Sequence, residues 1–330
     1  MSTENDPVER KVQLTGGSTY TVSLPKNWAD LRDITPGTVV ALHLHDTQLV
    51  ITERDAAKDR RVVTINAIEH DDATVALAVA AAYVAGCEEI HVKAISDTQT
   101  RRAVSRVITR FIGLEVMAET ERTLAARTML DVADLSAEQT VTQIERTALE
   151  MHAQAVRAVT TADSTLGEQV AQQDDDVDRL FALLSREFQQ SLVDPAITVD
   201  GHLTPFDYYM AGRQLERVAD HAEKMASLAA RVSDSPPSDI VTTLSGYGER
   251  SRTLVRQALA GLLAENNLGE LTAVVTEADA LLADLADLDE QLYDRSLTDG
   301  YILGLVVDSL IRTTQYAVNI AEAGVQAAYR

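Results

Sequence analysis

The chain is short of cysteine, lysine and aromatic residues, and each shortage narrows what it can be. One cysteine, Cys87, among 330 residues excludes an internal disulfide and a cysteine-rich zinc site. Its apolar neighbours mark it as a plain buried thiol. No apolar run approaches the roughly 20 residues of a membrane-spanning helix. Even "ATVALAVAAAYVAG" (73–86) reads as a buried helix. The first residues, "MSTENDPVER", are acidic and polar, unlike a signal or transit peptide. We therefore expect a soluble, cytoplasmic protein with no membrane insertion. Aromatics at 4% alongside frequent Ala point to closely packed helices, and a hydrophobic fraction of 45% excludes wholesale disorder.

Lysine occurs only at positions 11, 26, 58, 93 and 224, against 24 arginines, and the formal net charge is −22. A surface rich in acids and poor in lysine suits molar salt, where self-repulsion is screened over about 3 Å. This predicts a halophilic source. The charge is uneven. Residues 1–60 carry 7 Lys and Arg against 9 Asp and Glu, a net of −2, which leaves −20 on the other 270 residues. The first segment is nearly neutral inside a very acidic protein.

Residues 10–53 read as short strands. "RKVQLT" alternates, Gly16-Gly17 signals a tight turn, and "STYTVSLP" alternates again. "NWADLRDI" is a helical turn or two, "PGT" (36–38) is another turn, and "VVALHLHDTQLVIT" makes a second hairpin. Four strands of about six residues cannot bury a core alone, so pairing with a second copy is expected. The phrases "GGSTYTVSLPKNW" (16–28) and "ITPGTVVALHLHDTQLVI" (34–51) resemble the swapped-hairpin AbrB/SpoVT family of DNA-binding domains. In that family two chains interleave hairpins into one barrel, and the first hairpin faces double-stranded DNA. The resemblance implies Arg10, Lys11, Gln13, Thr15, Ser18 and Lys26 as the DNA-facing residues. Arg and Lys would meet phosphates, and Gln13 and the hydroxyls would reach base edges.

Residues 60–119 alternate strand and helix. "RRVVTIN", "EEIHVKA" and "LEVMAE" are β-rich, separated by "DDATVALAVAAAYVAG" and "SDTQTRRAVSRVITRFIG". Ser96 or Asp97 can cap the second helix, and Gly86 and Gly113 stop the two helices. The pattern is a small βαβαβ unit, a spacer or a dimer contact. It has no GxGxxG or phosphate loop. Arg101, Arg102, Arg106 and Arg110 form its densest basic stretch; we read it as a solvated helix face, the alternative being contact with phosphate or with a partner's acids.

From about residue 130 the chain is helical. Val141, Ile144, Ala148, Met151, Ala155 and Ala158 recur at steps of three and four. Val170, Val177, Phe181, Leu184 and Phe188 form the stripe of a second helix, and Leu215, Val218, Ala222, Met225 and Ala229 that of a third. "SDSPPSD" (233–239) breaks the pattern. Further helices follow near 245–265, 270–295 and 300–328, with Leu281, Leu285, Leu288 and Leu292 as one seam. The two halves look like a repeat.

Glu216 and Asp220 stand one turn apart, about 40° around their helix, just outside the apolar stripe. Asp174 and Asp178 have the same spacing in the preceding helix. Antiparallel packing would bring four carboxylates to one groove, where they repel one another unless a cation sits between them. All-oxygen ligands favour Mg, Ca, Mn or carboxylate-bound iron. The phrases "QDDDVDRLF" (173–181), "RQLERVADHAEKMA" (213–226) and "VNIAEA" (318–323) resemble the PhoU family of phosphate-uptake regulators, built as two three-helix bundles. The resemblance implies a multinuclear iron or zinc cluster, or another divalent metal, at Asp174, Asp178, Glu216 and Asp220, with Asp175 assisting. The second repeat departs from this pattern. It has Ala286 with Glu290 and Ile311 with Gln315, one acid where the first has four, so at most one of the two metal sites survives. His221 turns to another face and reads as a surface residue.

The whole is an α+β multidomain chain. Residues 1–58 are expected to form the swapped-hairpin β-barrel on dimerisation, and 59–122 the small α/β unit. Residues 130–330 are expected to form tandem three-helix bundles, 130–232 and 240–330. No paired base and nucleophile, HExxH, nucleophile elbow or phosphate loop is present, so no enzyme is expected. The expected function is a homodimeric, DNA-binding transcriptional regulator of phosphate uptake. The alternative is a cytoplasmic adaptor that restrains a phosphate transporter ATPase and its signalling proteins without binding DNA.

Overall fold

The computed structural model describes residues 8–44, 49–53, 61–130, 136–193, 201–265 and 267–330. The chain divides into two units, 1–59 and 60–330.

The first unit consists of two separate hairpins and a short helix. Strands β1 (Gln13–Thr15) and β2 (Thr19–Thr21) pair antiparallel across Gly16 and Gly17, both at positive φ as this tight turn demands. Helix α1 (Lys26–Leu31) follows Pro25. Strands β3 (Val40–Leu44) and β4 (Leu49–Glu53) make the second antiparallel pair. None of the unit's described residues is buried. Tyr20, Leu31 and Leu44 are 77%, 81% and 84% exposed. Within one chain the two hairpins remain separate sheets; the interleaved barrel expected from the sequence requires a second chain.

The second unit begins with a two-layer α/β element. Its strands are β5 (Val62–Asn66), β6 (Glu89–Lys93), β7 (Leu114–Glu119) and β8 (Thr123–Thr128), in the order β5-β6-β8-β7. Helix α2 (Asp72–Val84) crosses between the parallel pair β5 and β6, and α3 (Thr98–Arg110) follows β6. The side chains of Asp71 and Asp97 accept from the first free amides of these helices. Gly86, at φ +87°, ends α2 in the left-handed conformation. The sheet has a strand more than the expected βαβαβ pattern. β8 lies beyond residue 122 and inserts between β6 and β7, antiparallel to both. Ile65, Val79, Tyr83, Ile90, Val92, Val104, Ile108 and Leu124 form the core between sheet and helices. Cys87 is half-buried beside that core rather than fully enclosed.

The remainder is helical: α4 (Ala137–Thr160), α5 (Ser164–Ala171), α6 (Asp174–Ser191), α7 (Pro205–Leu228), α8 (Ser238–Leu263), α9 (Leu268–Asp294) and α10 (Gly300–Ala327). The second helical stripe is thus split, because the chain turns at Gln172 and Gln173 between α5 and α6. α8 (from Ser238) starts directly after Pro237, its N-cap residue, about two turns earlier than expected. Helices α4 to α7 and α8 to α10 pack into two bundles that share one continuous apolar core. Their seam also holds polar groups. His152 is fully buried and accepts at Nδ1 from Arg252 Nη1 at 3.2 Å, and burial pushes its pKa down to about 3. Inside the second bundle Ser251 of α8 and Thr314 of α10, both buried, share a hydrogen bond of 3.1 Å. Asn319 Nδ2 donates to Gln214 Oε1 at 2.9 Å and Lys224 Nζ to Asp308 Oδ2 at 3.1 Å, fixing α7 against α10. Among the described residues no helix is long and apolar enough to cross a membrane.

Helix α6 also faces the α/β element. Ala182 packs against the α/β core, and Arg186, 3% exposed, donates to the carbonyl oxygens of Tyr83 at 2.6 Å and Cys87 at 2.9 Å. Its guanidinium also lies 5.0 Å from the Tyr83 ring centroid. Truncation would orphan two buried carbonyls and leave a void. Arg186→Ala is expected to cost about 3 kcal/mol in a urea titration followed by circular dichroism; a cost within experimental error would show that this joint adds nothing to stability.

Candidate functional site

α6 and α7 pack antiparallel, and aromatic and small residues set their register. Phe188 contacts Phe206 and Tyr209 at ring-centroid distances of 5.8 and 4.8 Å. At Gly212 an added Cβ would come within 2.3 Å of Leu184, so the helices approach closely there. Arg213 lies over Phe181 at 5.5 Å. Extending that register puts Asp178 level with Glu216 and Asp174 level with Asp220, as the antiparallel packing required. Asp174 is the first residue of α6 rather than a mid-helix residue, and Asp175 and Asp176 complete an acidic first turn at the positive end of the helix dipole.

The carboxylates feel one another. Burial, then Asp178, Glu223, Asp220 and Glu216, push the Asp174 pKa up to about 7. Burial and then Asp220 push Glu216 up to about 7, with Arg213 pulling the other way. Asp178, Asp220 and Glu223 are raised as well, each mainly by desolvation. Asp174 Oδ1 and Glu216 Oε2 are buried without a hydrogen-bond partner.

Two arginines offset part of this repulsion. Arg213 Nη1 donates to Glu216 Oε1 at 2.9 Å. Arg110 Nη2, from the last residue of α3, donates to Asp175 Oδ1 at 2.8 Å and Asp178 Oδ2 at 3.1 Å. Arg110 therefore meets acids of this same chain, whereas the basic stretch of α3 reads from the sequence as a solvated face. Its density was the available signal; nothing in the sequence places α3 beside α6. Glu223 also joins the acidic field unannounced.

With the side chains as they stand, no group of three or more His, Cys, Asp or Glu among the described residues is placed to hold a metal ion. The donor set nevertheless suits a hard cation. It is all oxygen, mutually repelling, and has two buried oxygens lacking partners. Asp174, Asp178, Glu216 and Asp220 are the residues that would hold such an ion, two of them being paired here with Arg110 and Arg213. At the corresponding positions of the second bundle Glu290 is exposed and Gln315 accepts from Arg312 at 3.2 Å. His221 is half-buried rather than a surface residue, its Nδ1 3.2 Å from Ser309 Oγ and its ring against Tyr316.

The other candidate residues lie in the first unit, and all are exposed. Arg10 and Lys11 precede β1, Gln13 and Thr15 lie on it, Ser18 is in the turn, and Lys26 opens α1. Gln13 pairs with Thr21 and Thr15 with Thr19, so these four share a face, with a hydroxyl contact of 3.1 Å between Thr15 and Thr21. Alternation puts Leu14 and Tyr20 on the opposite face. In the second hairpin Leu42 pairs with Ile51 and Leu44 with Leu49, making another apolar face.

Residues 141–229 match the family model of the PhoU domain. All four candidate carboxylates lie inside that span, and α8 to α10 lie outside it. PhoU from Pseudomonas aeruginosa is similar at a TM-score of 0.50 and 21% identity, over 58% of this chain and 95% of that one. The phosphate transport system regulatory protein PhoU from Streptococcus pneumoniae is similar at a TM-score of 0.50 and 16% identity, over 59% of this chain and 94% of that one. At these identities the likeness establishes a PhoU-like fold. No curated protein sequence matches the chain.

The raised carboxylates in the PhoU-like region have a direct stability consequence. Asp174 and Glu216 hold protons more tightly folded than unfolded, so the folded state is favoured at low pH. That advantage is lost as pH rises from about 4 to about 7. The melting temperature in chelator is expected to fall over that window, and Asp174→Asn with Glu216→Gln is expected to flatten the slope and stabilise the chain at about pH 8. An unchanged slope in the double variant would show that these groups are not the ones titrating.

Proposed function

We propose that this protein is a homodimeric, DNA-binding transcriptional regulator of phosphate uptake, with the PhoU-like helices as its sensing or partner-binding region. The observation that carries this reading is the state of the first unit. It has two hairpins, each with an apolar face (Leu14 and Tyr20 in one, Leu42, Leu44, Leu49 and Ile51 in the other), and no buried residue among those described. Isolated two-stranded hairpins are marginal in water, so a second copy is the natural source of the missing apolar layer. Interleaving two such units gives the AbrB/SpoVT arrangement and leaves two copies of the Gln13–Thr15 face related by a two-fold axis, which suits pseudo-symmetric DNA. Gln13, Thr15 and Ser18 then read base edges, while Arg10, Lys11 and Lys26 meet phosphates. Phosphate contacts weaken as salt rises, so a protein working in concentrated salt relies on the polar contacts more heavily.

In this reading the acidic groove between α6 and α7 takes up a divalent metal or a small metal cluster in the cytoplasm, and the bundle's state is communicated to partners. The PhoU match over residues 141–229 equally supports a second reading, an adaptor that restrains a phosphate transporter ATPase and its signalling proteins without touching DNA. The two readings diverge at the first unit. In molar KCl the chain is expected to sediment as a dimer and to retard promoter fragments of phosphate-uptake genes. Lys11→Glu with Lys26→Glu is expected to weaken that retardation at least tenfold. A dimer that retards no promoter would favour the adaptor. A monomer with residues 8–53 folded would remove the basis for the barrel.

A further inference from the structure

Asp178 belongs to two arrangements at once. It is one of the four carboxylates that the metal reading assigns to a cation, and its Oδ2 already accepts from Arg110 Nη2 at 3.1 Å. The same nitrogen reaches Asp175 Oδ1 at 2.8 Å. An ion bound to Asp178 would bring a second positive centre onto a carboxylate that a guanidinium holds, and like charges at that distance repel. Arg110 stands where it can yield, because its side chain is 46% exposed and ends α3. The α/β element has a separate and buried attachment to the same helix, through Arg186 and the carbonyls of Tyr83 and Cys87. Losing the Arg110 contact therefore frees the end of α3 without undocking the element.

We propose that Arg110 is a built-in competitor for the cation site. Its guanidinium holds the Asp175–Asp178 pair while the groove carries no ion, and an ion taken up by Asp178 and its neighbours displaces it, so that occupancy of the groove is reported by the C-terminal end of α3. The device rests on the metal reading of the groove given above. It makes the α/β element more than a spacer: α3 supplies the resting counter-ion of the helical site, and the loop after α3, around Phe111 to Gly113, changes its constraints when the ion arrives. A guanidinium is suited to this, since its Nη2 meets both carboxylates at once yet cannot follow them into a coordination sphere.

Manganese titrations of the full chain by calorimetry test the idea, with amide hydrogen exchange over residues 106–113 as a second readout. Two exposed ion pairs are lost in Arg110→Gln, which is expected to bind Mn²⁺ about fivefold more tightly than the wild type. Arg110→Lys is expected to stay close to the wild type. Glu216→Gln is expected to lose most binding. Adding Mn²⁺ to the wild type is expected to speed exchange at the end of α3, whereas in Arg110→Gln exchange is fast with or without the ion. Equal affinity in the wild type and Arg110→Gln, with Glu216→Gln weakened, would overturn the competition and leave the cation site standing. Arg110→Lys binding as tightly as Arg110→Gln would also overturn it, because the charge would then not be the competitor. Absence of Mn²⁺ binding in all four proteins would remove both the competitor and the site. Circular dichroism of each variant shows that the comparison is made on folded chains.

Discussion

One helix has to satisfy two cores, and the second unit is organised around that constraint. α6 gives Val177 and Leu184 to the helical bundle and Ala182 to the α/β element. A surface helix can do this only if its remaining contacts with the second partner are not purely apolar, because a helix greasy all round would have no solvent face. Arg186 resolves the conflict. Its aliphatic stem crosses the interface and its guanidinium, kept from water, is satisfied by two carbonyls at the end of α2 and by the Tyr83 ring. The neighbouring Glu187 is less well served. Burial pushes its pKa up to about 7, and its Oε1 has no partner. The joint is thus specific, since only this face of α6 offers the donor that those carbonyls need.

The same helix begins with the acids that form one wall of the groove, so docking and charge are linked through a single rigid rod. Asp174 at the N-terminus of α6 gains from the helix dipole, but burial and four neighbouring carboxylates outweigh that gain. Arg110 and Arg213 pair with two members of the set, Asp178 and Glu216. An unfilled electrostatic demand of this kind is costly to keep in a fold. Its presence in the half that matches the PhoU domain sets the two bundles apart chemically.

Much of this was readable from residue spacing, and the failures share a cause. The seams of α4, α7 and α9 follow the three-four periodicity because apolar burial there is nearly one-sided. The acids one turn apart on α6 and α7 were likewise visible, since helical geometry alone puts them on one face. The break between α5 and α6 was hidden because Val170 and Val177 are seven residues apart, a step that continues a stripe across a turn as readily as along a helix. β8 was missed because only Leu124 and Ala126 of "TLAART" enter the core. His221 was misread because its surroundings on α10, Ser309 and Tyr316, are polar, so the seam between the bundles has no apolar signature at that level. Arg110 could not be placed at all. Its partners lie 65 and 68 residues away, and a tertiary ion pair leaves no periodic trace.

The strand order has a consequence for how the α/β element is made. β6 is flanked by β5, which precedes it, and by β8, which arrives some thirty residues later after α3 and β7. While β8 is being synthesised, β6 offers one unpaired edge to anything nearby. The tight β7–β8 hairpin is a local structure that closes quickly, so it can dock as a preformed pair. Completion of the sheet is then one docking event, which shortens the interval in which an open edge could recruit another nascent chain.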